Sequence, residues 1–242
     1  MEGSAFFIDK SRNRKEGNLI KKRTKKRLGV LCMVIGLGFA FYSQIEDRLL
    51  AYSVTQLAEQ PLTAKKVEEN KEKGVSFNFE EVEPLDLGTI LSAQATLDSV
   101  PVIGKISIPS VHLNLPIGLG TSSSTLALTA GTMKKEQVMG EGNYSLAGHD
   151  SRSKDVLFSP LHRVEIGSTV YLTDAIFVYE YEVTDKETIL PTKVSVIKDK
   201  DEETLLTLIT CDDGGSTRLL VTGQFIKKTP VKEAKTKMDL SF

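Results

Sequence analysis

The run Thr207-Leu208-Ile209-Thr210-Cys211 delivers a cysteine to the last position of a β-prone segment. A polar loop, DDGGST, follows at once, and Arg218 opens the next segment. If the two segments pair as a hairpin, Cys211 and Arg218 flank the loop and sit nearly opposite, with Cα atoms about 5 Å apart. A fixed cation there favours thiolate over thiol. It is also suited to holding the oxyanion of an acyl-transfer intermediate. A thiol nucleophile needs an acid–base partner, and the chain has three histidines. His112 lies in the alternating segment VHLNLP, and His162 in a turn or short helix within SPLHRVEIG. His149 ends the segment YSLAGH, where Gly148 relaxes the limits on close approach, and it is the best partner of the three. Taken singly, each residue has a plainer reading: a buried structural thiol, a strand-edge cation, a structural histidine. The pairing also carries a protonation cost. With unperturbed pKa values, thiolate and imidazolium coexist in roughly 1% of molecules at pH 7.

The second cysteine, Cys32, does not supply a disulfide partner, because it lies in an apolar N-terminal segment. Leu28 to Ile45 carries no charge. That length is short against the roughly 20 residues that cross a bilayer comfortably, but sufficient if flanking arginines snorkel. No small-x-small cleavage site follows, so the segment reads as an uncleaved anchor. Residues 1–27 hold a net charge of +7 within a chain whose formal total is −1. The basic head belongs on the cytoplasmic side and needs no nucleic acid to explain it. Everything after Ile45 is then expected outside the cell. An external domain of that size can rely on its core rather than on disulfides, so its single thiol is kept for another purpose.

The expected organisation is a basic cytoplasmic segment (1–27), a transmembrane anchor (28–45), a helix and charged linker (46–83), a β-barrel domain (84–229) and a polar, frayed tail (230–242). Leu49, Leu50, Tyr52, Val54 and Leu57 suggest a short amphipathic helix within 46–60, whereas 61–83 is dense in Lys and Glu and reads as a solvated tether. Leu87, Ile90, Leu91 and Leu97 share one helical face. From Val100 the period changes to two. Strands are expected over 103–108, 111–117, 144–149, 169–173, 176–184, 194–197, 205–211 and 218–226, with a weaker one over 125–133. About eight short strands with few helices point to an all-β, closed or nearly closed barrel.

TLITC, with AGH upstream and Arg218 downstream, resembles the sortases, the membrane-anchored cysteine transpeptidases of Gram-positive bacteria. The phrases VPVIGKISIPSVHLNLPI and AGTMKKEQVMGEGNYSLAGH look like the housekeeping, class A branch. The resemblance implies an eight-stranded barrel in which Cys211 attacks the Thr–Gly carbonyl of an LPXTG-type sorting signal. Protonated His149 then hands a proton to the departing amine, and Arg218 holds the oxyanion or the substrate backbone. An amine of a lipid-linked cell-wall precursor resolves the thioacyl-enzyme. Partners are thus LPXTG-containing surface proteins, the precursor and the membrane; no cofactor, metal or nucleic acid is implied. The same resemblance places Thr210 against the reacting threonine of the signal. It places Ala147 and Ile209 in the substrate groove, and Val194, Val196 and Ile197 in the loop that receives the Leu-Pro end.

Two departures stand out. Many class A members follow the catalytic histidine with another histidine; here Asp150 follows, which raises the basicity of His149 if it folds back. Calcium-stimulated members carry an acidic loop after the third strand, whereas this chain has Lys134-Lys135-Glu136-Gln137. A hard cation wants several oxygen ligands, so no calcium requirement is expected. The alternative readings are a pilin-polymerising relative that uses a lysine amine, and a tethered module that grips peptides without chemistry.

Overall fold

The computed structural model describes residues 25–78 and 82–237. Eight strands close into a barrel in the order β1-β2-β3-β4-β7-β8-β6-β5. They are β1 (Val102–Ile108), β2 (Leu113–Gly118), β3 (Ala130–Thr132), β4 (Asn143–Ala147), β5 (Thr169–Thr173), β6 (Phe177–Ile189), β7 (Leu205–Asp212) and β8 (Thr217–Pro230). The alternation read from the sequence is the alternation of burial. Along β6, Tyr181 and Val183 are buried while Glu182 and Thr184 face solvent, as a pleated sheet with one wet face requires. The inner faces meet in one core that includes Ile106, Leu115, Leu146, Leu172, Tyr181, Leu208 and Val221.

Two pairings are parallel, β2 with β3 and β4 with β7. The second governs the site, because it lays the ends of β4 and β7 side by side, pointing the same way. Ala147 pairs with Ile209, and the Gly148 N–H donates to the Ile209 carbonyl at 3.1 Å. Continuing that register by two residues brings His149 alongside Cys211. β7 then turns into β8 in an antiparallel hairpin in which Cys211 and Arg218 are direct partners.

Several expectations are corrected. Residues 194–197 form a 3-10 turn rather than a strand. They leave the sheet because β7 pairs on both edges already, with β4 and β8. The stretch 125–133 begins as a short helix, α5 (Ser123–Leu126), capped by Ser122, and only Ala130–Thr132 is strand. The linker 61–83 is not simply a solvated tether. It contains helix α3 (Ala64–Lys71), capped by Thr63, with Val67 and Asn70 buried. The Asn70 amide donates to the Val102 carbonyl at 2.8 Å, so a polar residue in a charged segment anchors that segment to β1. Residues 79–81 of the linker lie outside the described residues. Beyond β8 the chain forms helix α6 (Val231–Lys237) with Ala234 buried, rather than fraying from 230 onward.

The chain divides into two compact units, 1–45 and 46–242. Within the first, only 25–45 is described, so the basic segment 1–27 falls mostly outside. A helix, α1 (Lys25–Ala40), exposes Leu28, Leu31, Val34, Ile35 and Phe39. After a break at Phe41, helix α2 (Tyr42–Glu59) follows, and from Leu50 onward it belongs to the domain core through Leu50, Val54 and Leu57. No single described helix is long and apolar enough to cross a membrane, although α1 and α2 taken together pass by length and composition. Helix α4 (Leu87–Ala95), capped by Asp86, buries Ile90 and Ala93.

Candidate active site

A groove of about 660 Å³ opens at the ends of β4 and β7. Its floor holds Ala147, Gly148 and His149 from the first strand end, Ile209, Thr210 and Cys211 from the second, and Arg218 from β8. One wall is the 3-10 turn with Val194, Val196 and Ile197. The opposite wall comes from outside the barrel: Glu46, Asp47 and Leu50 of α2, Ile90 of α4, and Val82 to Leu85 between them. All nine residues singled out in the sequence therefore line one cavity. His112 and His162 do not. His112 caps the β1–β2 turn in a left-handed conformation, exposed to solvent.

Each chemical group is held by local structure. The turn after Cys211 needs three consecutive left-handed residues, Asp213, Gly214 and Gly215, with φ of 47°, 64° and 94°; two of the three are glycines, which adopt that region without a Cβ clash. The turn in turn holds the arginine. Arg218 Nη1 donates to the carbonyls of Gly215 and Thr217, both at 2.8 Å. That uses two of the five guanidinium donors. Gly148 is required for a different reason. A Cβ there would lie 2.7 Å from ring carbons of the buried Phe158, whose own N–H donates to the His149 carbonyl at 3.1 Å. The glycine lets the strand end lie against the ring.

Cys211 is half-buried and has no disulfide partner. Burial strips water from His149 and pushes its pKa below the ordinary value of 6.5. Its Nε2 is buried with no hydrogen-bond partner among the described residues. Asp150 does not fold back to raise it; the carboxylate reaches His162 instead, at 3.6 Å. The Thr210 side chain is buried, and its hydroxyl donates to the Gly148 carbonyl at 2.9 Å. Thr210 thus ties the two strand ends that carry His149 and Cys211, a contact that period-two reasoning could not reveal.

Sequence reasoning missed Asn143. It is buried at the start of β4, where its amide donates to the carbonyls of Val196 and Lys198 at 2.9 and 3.1 Å and its oxygen accepts from Thr207 Oγ1 at 2.7 Å. Ser145 Oγ donates to Ile197 O at 3.4 Å, and Asp199 accepts from the Asn143 N–H at 2.8 Å and from Lys134 Nζ at 2.6 Å. These contacts hold the 194–197 turn over the groove. The only signal was an Asn between Gly142 and an apolar strand. Lys134 is thus engaged with Asp199, and among the described residues no cluster of His, Cys, Asp and Glu is arranged to hold a metal ion.

The sortase domain matches residues 106–226, which spans β1 to β8 and includes all three chemical groups. The chain belongs to the sortase family. It is 37% identical to the Listeria monocytogenes sortase A over 205 residues, covering 84% of this chain and 92% of that protein. It is also 37% identical to the Streptococcus agalactiae sortase A over 207 residues, covering 84% of each. The crystal structure of the Listeria enzyme superposes with a TM-score of 0.54 at 42% identity, covering 56% of this chain and 95% of that one. The sortase reading of the chain and of its closed barrel is therefore correct. The protein is a class A sortase, a cysteine transpeptidase that cleaves LPXTG-type sorting signals, and neither the pilin-polymerising nor the non-catalytic alternative is favoured. Its substrates are surface proteins that bear such a signal, and its acceptor is a cell-wall precursor amine.

Proposed function

We propose that Cys211, His149 and Arg218 perform this transpeptidation in the groove, on the outer face of the cell membrane. The observation that carries the assignment is the placement of all three groups in one cavity at adjoining strand ends. The Cys211 sulfur attacks the threonine carbonyl of the signal, forming the S–C bond, and the carbonyl electrons move onto oxygen. The guanidinium N–H groups of Arg218 that the loop carbonyls do not use meet that oxyanion. The tetrahedral adduct collapses with cleavage of the Thr–Gly C–N bond, and the imidazolium of His149 gives its proton to the departing glycine amine. A precursor amine then attacks the thioester carbonyl, His149 takes up its proton, and the thiolate leaves. One amide replaces another, so no ATP is consumed.

Burial of His149 favours the neutral imidazole, and bound peptide that excludes water strengthens the attraction between thiolate and imidazolium. Ala147, Ile209, Val194, Val196 and Ile197 form the apolar lining that receives the signal. Val194 is 68% exposed, an apolar side chain available for contact. Thr210 lines the groove against the reacting threonine of the signal, and its hydroxyl bond to the Gly148 carbonyl holds it there. The acceptor amine is carried by a lipid-linked peptidoglycan precursor, and no calcium or other cofactor is needed.

Residues 28–45 serve as the anchor, with the N-terminus cytoplasmic. Support comes from their uncharged composition, the exposed apolar side chains of α1 and the basic run that precedes them. Since α2 joins the domain core from Leu50, the span ends near Ile45.

The decisive experiment incubates the protein with an LPXTG peptide and an oligoglycine amine, and looks by mass spectrometry for a thioacyl adduct on Cys211. An adduct that turns over to the amine product is the expected result. Cleavage that persists in Cys211→Ala would sink the assignment. For topology, a membrane-impermeant thiol reagent applied to intact cells should label Cys211 and spare Cys32; labelling of neither or of both rejects the orientation.

A further inference from the structure

The residues that directly follow His149 and Cys211 are both aspartates, Asp150 and Asp212. His162 lies between them: Nε2 is 3.6 Å from Asp150 Oδ2, and Nδ1 is 4.0 Å from Asp212 Oδ1. The 3-10 turn that carries it, Ser159–Arg163, is firmly held. Ser159 Oγ accepts from the Ser151 N–H at 2.6 Å and donates to the Ser151 carbonyl at 3.1 Å. Lys186 Nζ donates to the His162 and Val164 carbonyls at 2.9 and 3.0 Å. Asp212 is likewise fixed, with Thr188 Oγ1 donating to Oδ2 at 3.1 Å and the Asp213 N–H donating to Oδ1 at 3.0 Å.

Two carboxylates at the ends of neighbouring parallel strands repel, and the repulsion acts on the two backbones that carry His149 and Cys211. An imidazole between them offsets it, with one N–H in the neutral form and two when protonated. Each of the three side chains is about a third exposed, so solvent weakens the attraction, yet a shift of about 1 Å in a reacting pair already costs a large rate factor. We propose that His162 is a positioning residue, whose bridge from Asp150 to Asp212 sets the lateral placement of His149 against Cys211. This rests on Cys211 and His149 being the reacting pair. Asp150 lines the groove, whereas His162 and Asp212 do not, so replacing His162 acts on the rate of acylation and leaves peptide affinity alone.

The test uses the full-length protein in detergent, a quenched LPXTG peptide and an oligoglycine amine. His162→Ala should lower kcat roughly tenfold, leave KM within about twofold and leave the thermal midpoint nearly unchanged. His162→Arg, whose planar fork can span two carboxylates, should recover most of kcat. In an Asp150→Asn/Asp212→Asn background, His162→Ala should cost little more, since no paired charge remains to bridge. An unchanged kcat in His162→Ala overturns the proposal. So does an equal loss in the double-Asn background, or a loss that tracks the thermal midpoint and is not recovered by Arg. Failure of the underlying assignment is separate: it shows as wild-type protein that forms no Cys211 adduct, or as cleavage retained in Cys211→Ala.

Discussion

Cys211 and Arg218 are direct cross-strand partners in the β7–β8 hairpin, so their side chains leave the sheet on the same face. The hairpin that exposes the sulfur thus also delivers the cation, and one turn, Asp213–Gly215, sets both. The turn fixes the guanidinium by its backbone carbonyls, so among the described residues no hydrogen-bonded acid neutralises the positive charge. A lysine offers a point charge without the fork that satisfies two carbonyls and an oxyanion together. Arg218→Lys should therefore lower kcat by about 10²–10³, the usual cost of losing an oxyanion donor, with little change in KM. Steady-state kinetics of the folded variant checks this; a KM effect alone would assign Arg218 to peptide binding.

Much of this site was legible before the fold. Period two from Val100 onward gave the strands, and the Cys–loop–Arg spacing gave the hairpin pair, because an antiparallel register follows from local sequence and turn length. The His149–Cys211 juxtaposition came from choosing among three histidines; its structural basis is the parallel β4–β7 pairing across sixty residues, which no local pattern encodes. The 194–197 turn was misread as a strand because alternating Val-Ser-Val satisfies the period, whereas its conformation is set by Asn143 and Ser145, distant in sequence. The arm before the barrel was misread for a similar reason. Its Lys and Glu density describes the solvent face of α3, while two buried residues, Val67 and Asn70, decide where it docks.

Gly148 is tested by the room it lacks. A methyl group there meets the Phe158 ring at 2.7 Å, so either the ring or the strand end bearing His149 must move. Gly148→Ala should destabilise the domain by about 1–3 kcal/mol and cut kcat further than the loss of folded protein explains. Adding Phe158→Leu should recover part of both, as read by thermal melts and single-turnover acylation. Additive losses in the double variant would refute the contact.

Asn143 fixes the far wall of the groove. Asn143→Ala leaves the Thr207 hydroxyl and two turn carbonyls without their partner, at a cost of about 1–3 kcal/mol for a buried unpaired group. The 194–197 turn should loosen, raising KM for the signal peptide while the adduct on Cys211 still forms. Asn143→Asp keeps the acceptor for Thr207 but sets a carboxylate against the Val196 and Lys198 carbonyls, and should be the worse of the two. An unchanged KM in both would show that the turn keeps its place without the amide.

The buried His149 fixes a pH dependence whose sign is determined. Its pKa is lowered in the folded protein by desolvation, whereas the unfolded chain titrates near the ordinary value of 6.5. Between the folded and unfolded values the unfolded state binds more protons, so stability rises with pH there. Above about pH 6.5 the contribution is complete; as pH falls through the folded value it is lost, and below that it changes no further. Chemical denaturation of the 46–242 domain should therefore show a loss of stability below pH 6.5 that His149→Gln reduces, since a neutral amide has no proton to gain. Imidazole resonances of His149 should titrate below the ordinary value of 6.5. A titration of His149 above 6.5 would mean that a negative charge, the Cys211 thiolate first among them, outweighs burial in setting its proton affinity.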